Sequence, residues 1–523
     1  MKLLLTAFAS LIFLAKINAQ AIGIGTATPS ASAQLEISAT DKGLLIPRIN
    51  LVSLVDIATI NNPAVGLLIY NTNNNAAEFP DGTGFYYWNG EKWIKLITTG
   101  AIAGSAWLIN GNSGTDPQNH FLGTTDNKPF KFRTNNLPSG IIDPINSNTS
   151  LGLHALGNIQ GGFSNVAIGT KALFNNLTGD HHVAIGDSAL HNQNEGFGFN
   201  VAIGSKAMFG SVGGSYNTAV GAEALFSMPN SIQNVAIGVR ALYQNLIGFA
   251  NTAVGTNALY NNISGTYNVA DGFQALYSNM SGQNNTSIGG ESMYFNVDGG
   301  QNTAIGRYSL RNNTSGESHT AVGFSTLSSN VSGFGNTAVG FGANVSAGNL
   351  NFASAFGANA FVNASEKVVI GSSSVTVIGG AVNWSIVSDG RFKTDINENV
   401  PGLNFIMKLR PVTYRLQLMN YDKFLGKSDS AMKNEMQSYK KAEPIIRSGF
   451  IAQEVEIAAN ESGYSFGGLH KPESEKDNYS LSYSDFVVPI IKAMQEQQML
   501  IGKLQKQNEE LLKRLEALEK RTQ

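Results

Sequence analysis

NTAVGTNALYNNISGTY, residues 251–267, is followed without a gap by NVADGFQALYSNMSGQN, residues 268–284. Each segment has 17 residues, and they share Asn251/Asn268, Ala253/Ala270, Gly255/Gly272, Ala258/Ala275 and Leu259/Leu276. The pattern continues in both directions. Its glycine recurs from Gly152, Gly169 and Gly186 through Gly204 to Gly340 and Gly357, always 17 residues apart except for 18 between Gly186 and Gly204. The consensus N-T-A-V-G-x-x-A-L-x-x-N-x-x-G at a fixed short period marks a solenoid, in which each unit buries its apolar face only against its neighbours. About thirteen coils, stacked at roughly 4.8 Å, make a rod on the order of 60 Å long.

The columns of the repeat have physical roles. The residue before the glycine is branched (Ile168, Ile203, Val220, Ile237, Val254), which suits a strand and is expected to face inward. Four after the glycine stands Leu173, Leu190, Leu225, Leu242 or Leu259, a second inward column. The two columns lie five apart, so a continuous strand would place them on opposite faces. The glycine must therefore turn the chain, and each coil is read as two short strands. Asn165, Asn200, Asn217, Asn234, Asn251 and Asn268 stand four before the glycine and predict a ladder that satisfies backbone groups from coil to coil. Triplets such as Asn262-Ile263-Ser264 follow from the repeat and are not read as glycosylation sites. Asp271 places a carboxylate in the branched column, which predicts a locally weak coil or a small polar site.

Composition is consistent with a fibre. The chain has 523 residues, too many for one ordinary core, with 57 glycines but not at every third position, which excludes collagen. Charged residues are 14% with a formal net charge of −2, which leaves no electrostatic footprint for nucleic acid. There is no cysteine, so stability must come from burial, repetition or oligomerisation. Residues 1–19 read as a signal peptide, with Lys2, an apolar run over 3–15, and a cleavage site at Ile17-Asn18-Ala19. The product is expected to be exported, extracellular or at the cell surface, with no transmembrane anchor after signal removal.

Residues 20–110 read as a small β-rich head. GFYYWNGEKWIKL alternates aromatic and polar residues about Asn89-Gly90, a hairpin signal. Tyr87, Trp88 and Trp93 are expected to pack a sheet; a sugar-binding platform is the sharper alternative. AIGIGTATPSASAQLEI followed by KGLLIPR resembles a segment recurrent in exported bacterial tail-fibre-like proteins. Residues 111–149 read as a linker, 150–370 as the repeats and 371–387 as a neck. The repeats resemble the left-handed parallel β-roll heads of trimeric autotransporter adhesins. Catalysis in the rod is not expected, because Asp180, Asp187, Glu223, Glu291 and Asp298 are scattered across columns. His181, His182 and His191 have no ligand spacing and read as surface residues. No cofactor or metal is expected.

Composition changes again at Ser388-Asp-Gly-Arg-Phe-Lys393-Thr-Asp-Ile396. With LRPVTYRL (409–416), GFIAQEVE (449–456) and SLSYSDFVVPIIKAMQEQ (480–497), this stretch resembles the autocatalytic intramolecular chaperone of endosialidase tailspikes and phage tail fibres. IAANESGYSF (457–466) stands where that family carries a proline-containing turn, and 420–447 is a long loop. The resemblance implies an α+β chaperone and auto-processing domain over 388–489, Ser388 as nucleophile, Lys393 as its base, and a scissile bond between Val387 and Ser388. The chemistry agrees. A serine hydroxyl is inert without a neighbouring base. A lysine at its ordinary pKa of about 10.4 is protonated, so it must be desolvated or lie near another cation; Arg391 is a candidate cation, or a salt-bridge former.

Residues 490–523 read as a coiled coil, with Ile490, Met494, Gln497, Ile501, Leu504, Asn508, Leu511, Leu515 and Leu518 in alternating steps of four and three. Asn508 at an a position sets register, and the family and the adhesin-like repeats favour three strands over two. The whole reads as a mainly β, homotrimeric, tail-fibre-like protein whose C-terminal domain templates trimer folding and cuts itself off. Its rod is structural or adhesive, with a cell-surface glycan or host receptor as candidate partner. The alternative is a tailspike-like fibre that binds or degrades glycans.

Overall fold

A computed structural model describes residues 21–96, 107–108, 111–194, 198–382 and 384–522, so the expected signal peptide lies outside the described residues. The chain divides into two compact units, Met1–Gly123 and Thr124–Gln523.

In the first unit, Ile22–Ile24 pairs in parallel with Leu35–Ile37. A separate sheet runs Arg48–Ile49, Leu68–Asn71, Gly84–Trp88 and Trp93–Lys95. The hairpin signal at Asn89-Gly90 closes the last two strands with Trp88 opposite Trp93. The Asn89 side-chain oxygen accepts from the backbone of Glu91 and Lys92 (2.9 and 2.8 Å). Trp88 and Trp93 are buried with Leu51, Ile69, Phe79 and Tyr86, and the Trp93 indole donates to the Asp56 carbonyl (2.8 Å). Trp88 and Trp93 therefore pack a core, as expected, while Tyr87 is half-buried outside it.

The second unit begins with antiparallel strands Phe130–Thr134, Leu137–Asp143 and Asn148–Leu151. Residues 130–143 thus belong to the sheet, although the sequence read as linker there. The stretch falls outside the 17-residue period, and the Phe130/Phe132 alternation (ring centroids 4.8 Å apart) was the one signal it offered. From Asn148–Leu151 onward every pairing in this sheet is parallel and in register by one coil, as in Val166↔Val183, Ala167↔Ala184 and Ile168↔Ile185. The sheet has sixteen strands among the described residues and ends at Val368–Ile370. Most coils carry one named three-residue strand, not the two expected.

The inward column also differs from expectation. Ala167 is fully buried while Ile168 is 39% exposed, and the same holds for Ala236 beside Ile237. The branched residues favour the strand backbone, but a coil of 17 residues is too narrow to hold them and the leucines together. Alanine fills the strand side, and Leu173, Leu190, Leu225, Leu242 and Leu259, all fully buried, fill the opposite side as expected. Each buried leucine contributes roughly 1.5–3 kcal/mol. Asp271 consequently points outward between Val254 and Ile288 and is exposed, so its coil carries no buried charge.

The glycine does turn the chain. Gly255 has φ +124°, and a Cβ there would stand 2.6 Å from the carbonyl oxygen of Gly272 in the next coil. No side chain fits. The asparagine ladder is present and fully buried: Asn251 Oδ1 accepts from the Asn268 N–H (3.0 Å), and Asn251 Nδ2 donates to the Gly265 carbonyl (2.8 Å). A second ladder runs Asn245, Asn262, Asn279, Asn296, Asn313 and Asn330, each Nδ2 donating to the previous Oδ1 at 2.7–2.8 Å. Both satisfy polar groups that would otherwise be buried without partners. On the flank, Phe174, His191, Phe209, Phe226, Tyr243, Tyr260, Tyr277 and Tyr294 stack with centroids 4.9–5.4 Å apart, one ring per coil.

Two histidines occupy rungs of the first ladder. His182 and His319 are buried, which corrects the surface reading of His182. Burial holds both imidazoles down at about 4, helped at His182 by the neighbouring His181, and opposed at His319 by a hydrogen bond with the Gly333 backbone. His319 Nδ1 accepts from the Asn336 N–H (3.0 Å), the role that Asn Oδ1 takes in other coils.

Candidate self-cleavage site

The C-terminal part of the second unit is built around Phe405, Val455, Ala458, Ala459, Phe466 and Phe486. LRPVTYRL supplies the strand Val412–Tyr414, which pairs antiparallel with Arg447–Gly449, the strand that runs into GFIAQEVE, with Val412 opposite Gly449. GFIAQEVE also opens the helix Ala452–Glu461. That helix ends at Ser462; Gly463 turns left-handed (φ +63°), and Tyr464 and Phe466 return to pack against Phe405, the first edge-on and the second tilted. The third block forms Ser480–Leu481, a turn over Tyr483–Phe486 and the helix Val487–Thr522. Tyr483 Oη accepts from the Phe450 N–H (2.9 Å), locking the second block to the third.

The helix Val487–Thr522 has 36 residues, which is about 54 Å at 1.5 Å per residue. Its start packs on the domain: Glu496 accepts from the Leu403 N–H (2.7 Å) and caps the helix Leu403–Ile406. Its apolar seam is uncovered in the single chain, with Ile501, Leu504, Leu511, Leu515 and Leu518 all exposed. The long stretch after residue 420 is helical rather than a loop: Leu418–Phe424, Asp429–Asn434 and Met436–Ala442 bury Leu418, Met432, Tyr439 and Ala442 together. Beside that small core, buried Lys427 pairs with Asp422 (3.0 Å) and Glu435 (2.6 Å), and the Tyr439 hydroxyl donates to Asp422 (2.5 Å). Sequence reasoning did not find this cluster, because nothing in the spacing of those charges marks them as buried.

Ser388 opens the domain at the end of an exposed segment in which Val387 is 82% exposed. Asp389 caps a single 3-10 turn, Gly390–Phe392, by accepting from the Arg391 N–H (2.9 Å). The turn brings the chain back on itself, so that Lys393 Nζ donates to Ser388 Oγ at 2.9 Å. Arg391 pairs with Asp389 (2.6 Å), so its charge is engaged with that carboxylate. The hydrogen bonds from Arg391 hold the Asp389 carboxyl below its ordinary range, and those to Asp389 push the Arg391 guanidinium up. Ser388 and Lys393 are both exposed in the single chain.

A small domain with its own core, carrying a long helix with an uncovered apolar seam, thus follows a repetitive solenoid, an organisation that suits a fibre with a C-terminal chaperone. Comparison with known families agrees. Residues 23–113 match the family described as phage tail like trimerisation region, and residues 388–464 match the family described as chaperone of endosialidase. The second match begins at Ser388, and it supports an intramolecular chaperone domain of the autocatalytic peptidase kind. The first supports self-association as a homotrimer. No curated protein matches the chain. Among the described residues, no helix is long and apolar enough to cross a membrane.

Proposed function

We propose that the protein is an exported, trimeric, tail-fibre-like rod whose C-terminal domain templates assembly and then severs itself at the Val387–Ser388 bond. The observation that carries this reading is the 2.9 Å contact between Lys393 Nζ and Ser388 Oγ, formed at the first residue of the chaperone match. In the reaction, Lys393 as a neutral amine takes the Ser388 hydroxyl proton while Oγ attacks the Val387 carbonyl carbon. The Val387–Ser388 C–N bond breaks, the Ser388 nitrogen leaves with a proton as an amine, and the resulting ester is opened by water. Ser388 is the nucleophile, Lys393 the base, and Asp389 with Arg391 sets the turn that joins them.

Both side chains face water in the single chain. Packing of three copies through the seam of Val487–Thr522, a coiled coil in this reading, covers the pair and makes Lys393 competent as the base, so cleavage reports assembly. The rod is the durable product, structural or adhesive. A glycan-degrading rod is not favoured: Glu223 and Glu291 are tied to Arg240 and Arg311 rather than facing each other. The test is a denaturing gel. Wild type yields two fragments and the smaller begins at Ser388, whereas Ser388→Ala and Lys393→Ala remain full length. A small fragment beginning elsewhere rejects the assignment.

A further inference from the structure

The rod and the chaperone domain meet through polar contacts that the scissile segment plays no part in. Lys367, in the turn before the last strand Val368–Ile370, donates to Asp477 Oδ1 (3.1 Å) and to Asn363 Oδ1 (2.8 Å). Asn363 in turn donates to the Lys476 carbonyl (2.7 Å). On the chaperone side His470 Nε2 lies 2.7 Å from Asp477 Oδ2, and the Glu473 N–H donates to the same oxygen (3.3 Å). The Asp477 side chain is 1% exposed. Burial raises its carboxyl, but the hydrogen bonds from His470, the Asn478 backbone, Lys367 and the Glu473 backbone outweigh this and hold it at about 2. A second contact lies nearby: Ser373 Oγ donates to buried Asp422 (2.8 Å), the carboxylate that also pairs with Lys427.

Asn363, Lys367 and Ser373 precede the cut, and Asp422, His470 and Asp477 follow it. Between them, the described residues from 375 to 388 are exposed to solvent. Severing that segment removes the covalent link and leaves every one of these contacts in place. Separation of the two halves would have to break all of these contacts together, and a substitution that leaves Asp477 or Lys367 buried in the junction without its partner carries a large desolvation cost. In a trimer three such junctions act together, which raises the effective concentration of each.

We infer that the surface formed by residues 470–478 is a docking site for the last coil of the rod, and that Asp477 gripping Lys367 and Asn363 keeps the chaperone domain bound to the rod after the chain is cut. The inference rests on the cleavage reading for its biological setting, but its test does not. Wild-type protein is run on a denaturing gel and by size exclusion at neutral pH and low salt. In parallel, Ser388→Ala protein is nicked with chymotrypsin at exposed Trp384 and run on the same column. Fragments that separate on the denaturing gel yet elute together from the column are the expected result in both arms. Lys367→Glu and Asp477→Asn are expected to weaken docking at least about a hundredfold, so that the C-terminal fragment elutes alone while the rod keeps its circular dichroism. Uncut wild type rejects the cleavage reading, and the nicked arm then still decides the docking one. Nicked or self-cut fragments that part at neutral pH and low salt overturn the docking site.

Discussion

The two histidines in the asparagine ladder make the rod acid-sensitive in a way that can be calculated. A folded-state value of about 4 against 6.5 for the ordinary imidazole means that the fold favours the neutral ring. Above about 6.5 both folded and unfolded rings are neutral and the full stability is present; below it the unfolded chain takes up protons that the folded rod refuses, so stability falls as the pH drops toward 4. At pH 5 the loss is about 2 kcal/mol for each histidine with the values of His182 and His319, or about 4 kcal/mol for the pair. For a rod of this size that is about 10 °C in Tm. The physical event is specific: a proton on His319 Nδ1 would be driven against the Asn336 N–H that it now accepts from at 3.0 Å. The assay is thermal unfolding by circular dichroism at pH 7 and pH 5 for wild type and for His182→Asn/His319→Asn, which restores the ladder residue of the other coils. The double variant is expected to lose most of the drop between the two pH values. If wild type and variant lose the same Tm between pH 7 and pH 5, other groups carry the acid response and the ladder argument is wrong.

Other substitutions separate the columns of the repeat. Gly255→Ala sets a methyl 2.6 Å from the backbone of the next coil at φ +124° and is expected to cost about 3 kcal/mol or more, whereas Asp271→Val in the outward column should change rod stability by no more than about 0.5 kcal/mol; urea melts of the two variants check the contrast. Asn279→Leu removes one rung of the second ladder, leaving one of the two Asn296 Nδ2 hydrogens without its acceptor at 2.8 Å while the bond to the Gly299 carbonyl remains, and should cost about 1–3 kcal/mol by the same measurement. Replacing Ile501, Leu504, Leu511 and Leu515 by Ser removes a seam that is already exposed in the single chain. The monomer fold should survive, while light scattering shows loss of the trimer and a denaturing-gel time course shows much slower cleavage. Wild-type cleavage rates from a monomeric seam variant would refute the coupling of cleavage to assembly.

Periodicity alone carried much of the architecture. A 17-residue repeat with glycine, alanine, leucine and asparagine in fixed columns has one economical solution, because each coil can hide its apolar face only against the next. The glycine turn, the leucine column and the first asparagine ladder were therefore legible in advance. The pairing of Ser388 with Lys393 came instead from the resemblance to a chaperone family, and one short turn across those five positions brings the two side chains into contact. What could not be read was the capacity of the coil. Sequence assigns Ile168 and its equivalents to the interior by their hydrophobicity, yet the cross-section admits alanine there, and only the folded coil sets that limit. His182 passed for a surface residue for the same reason: a ladder rung is defined by the hydrogen bonds available in the next coil, not by residue type. The grip of Asp477 on Lys367 joins residues 110 apart, and the buried Asp422–Lys427–Glu435 cluster depends on three helices packing together. Local spacing is a property of the chain; long-range contact and available volume come into being only when the chain is folded.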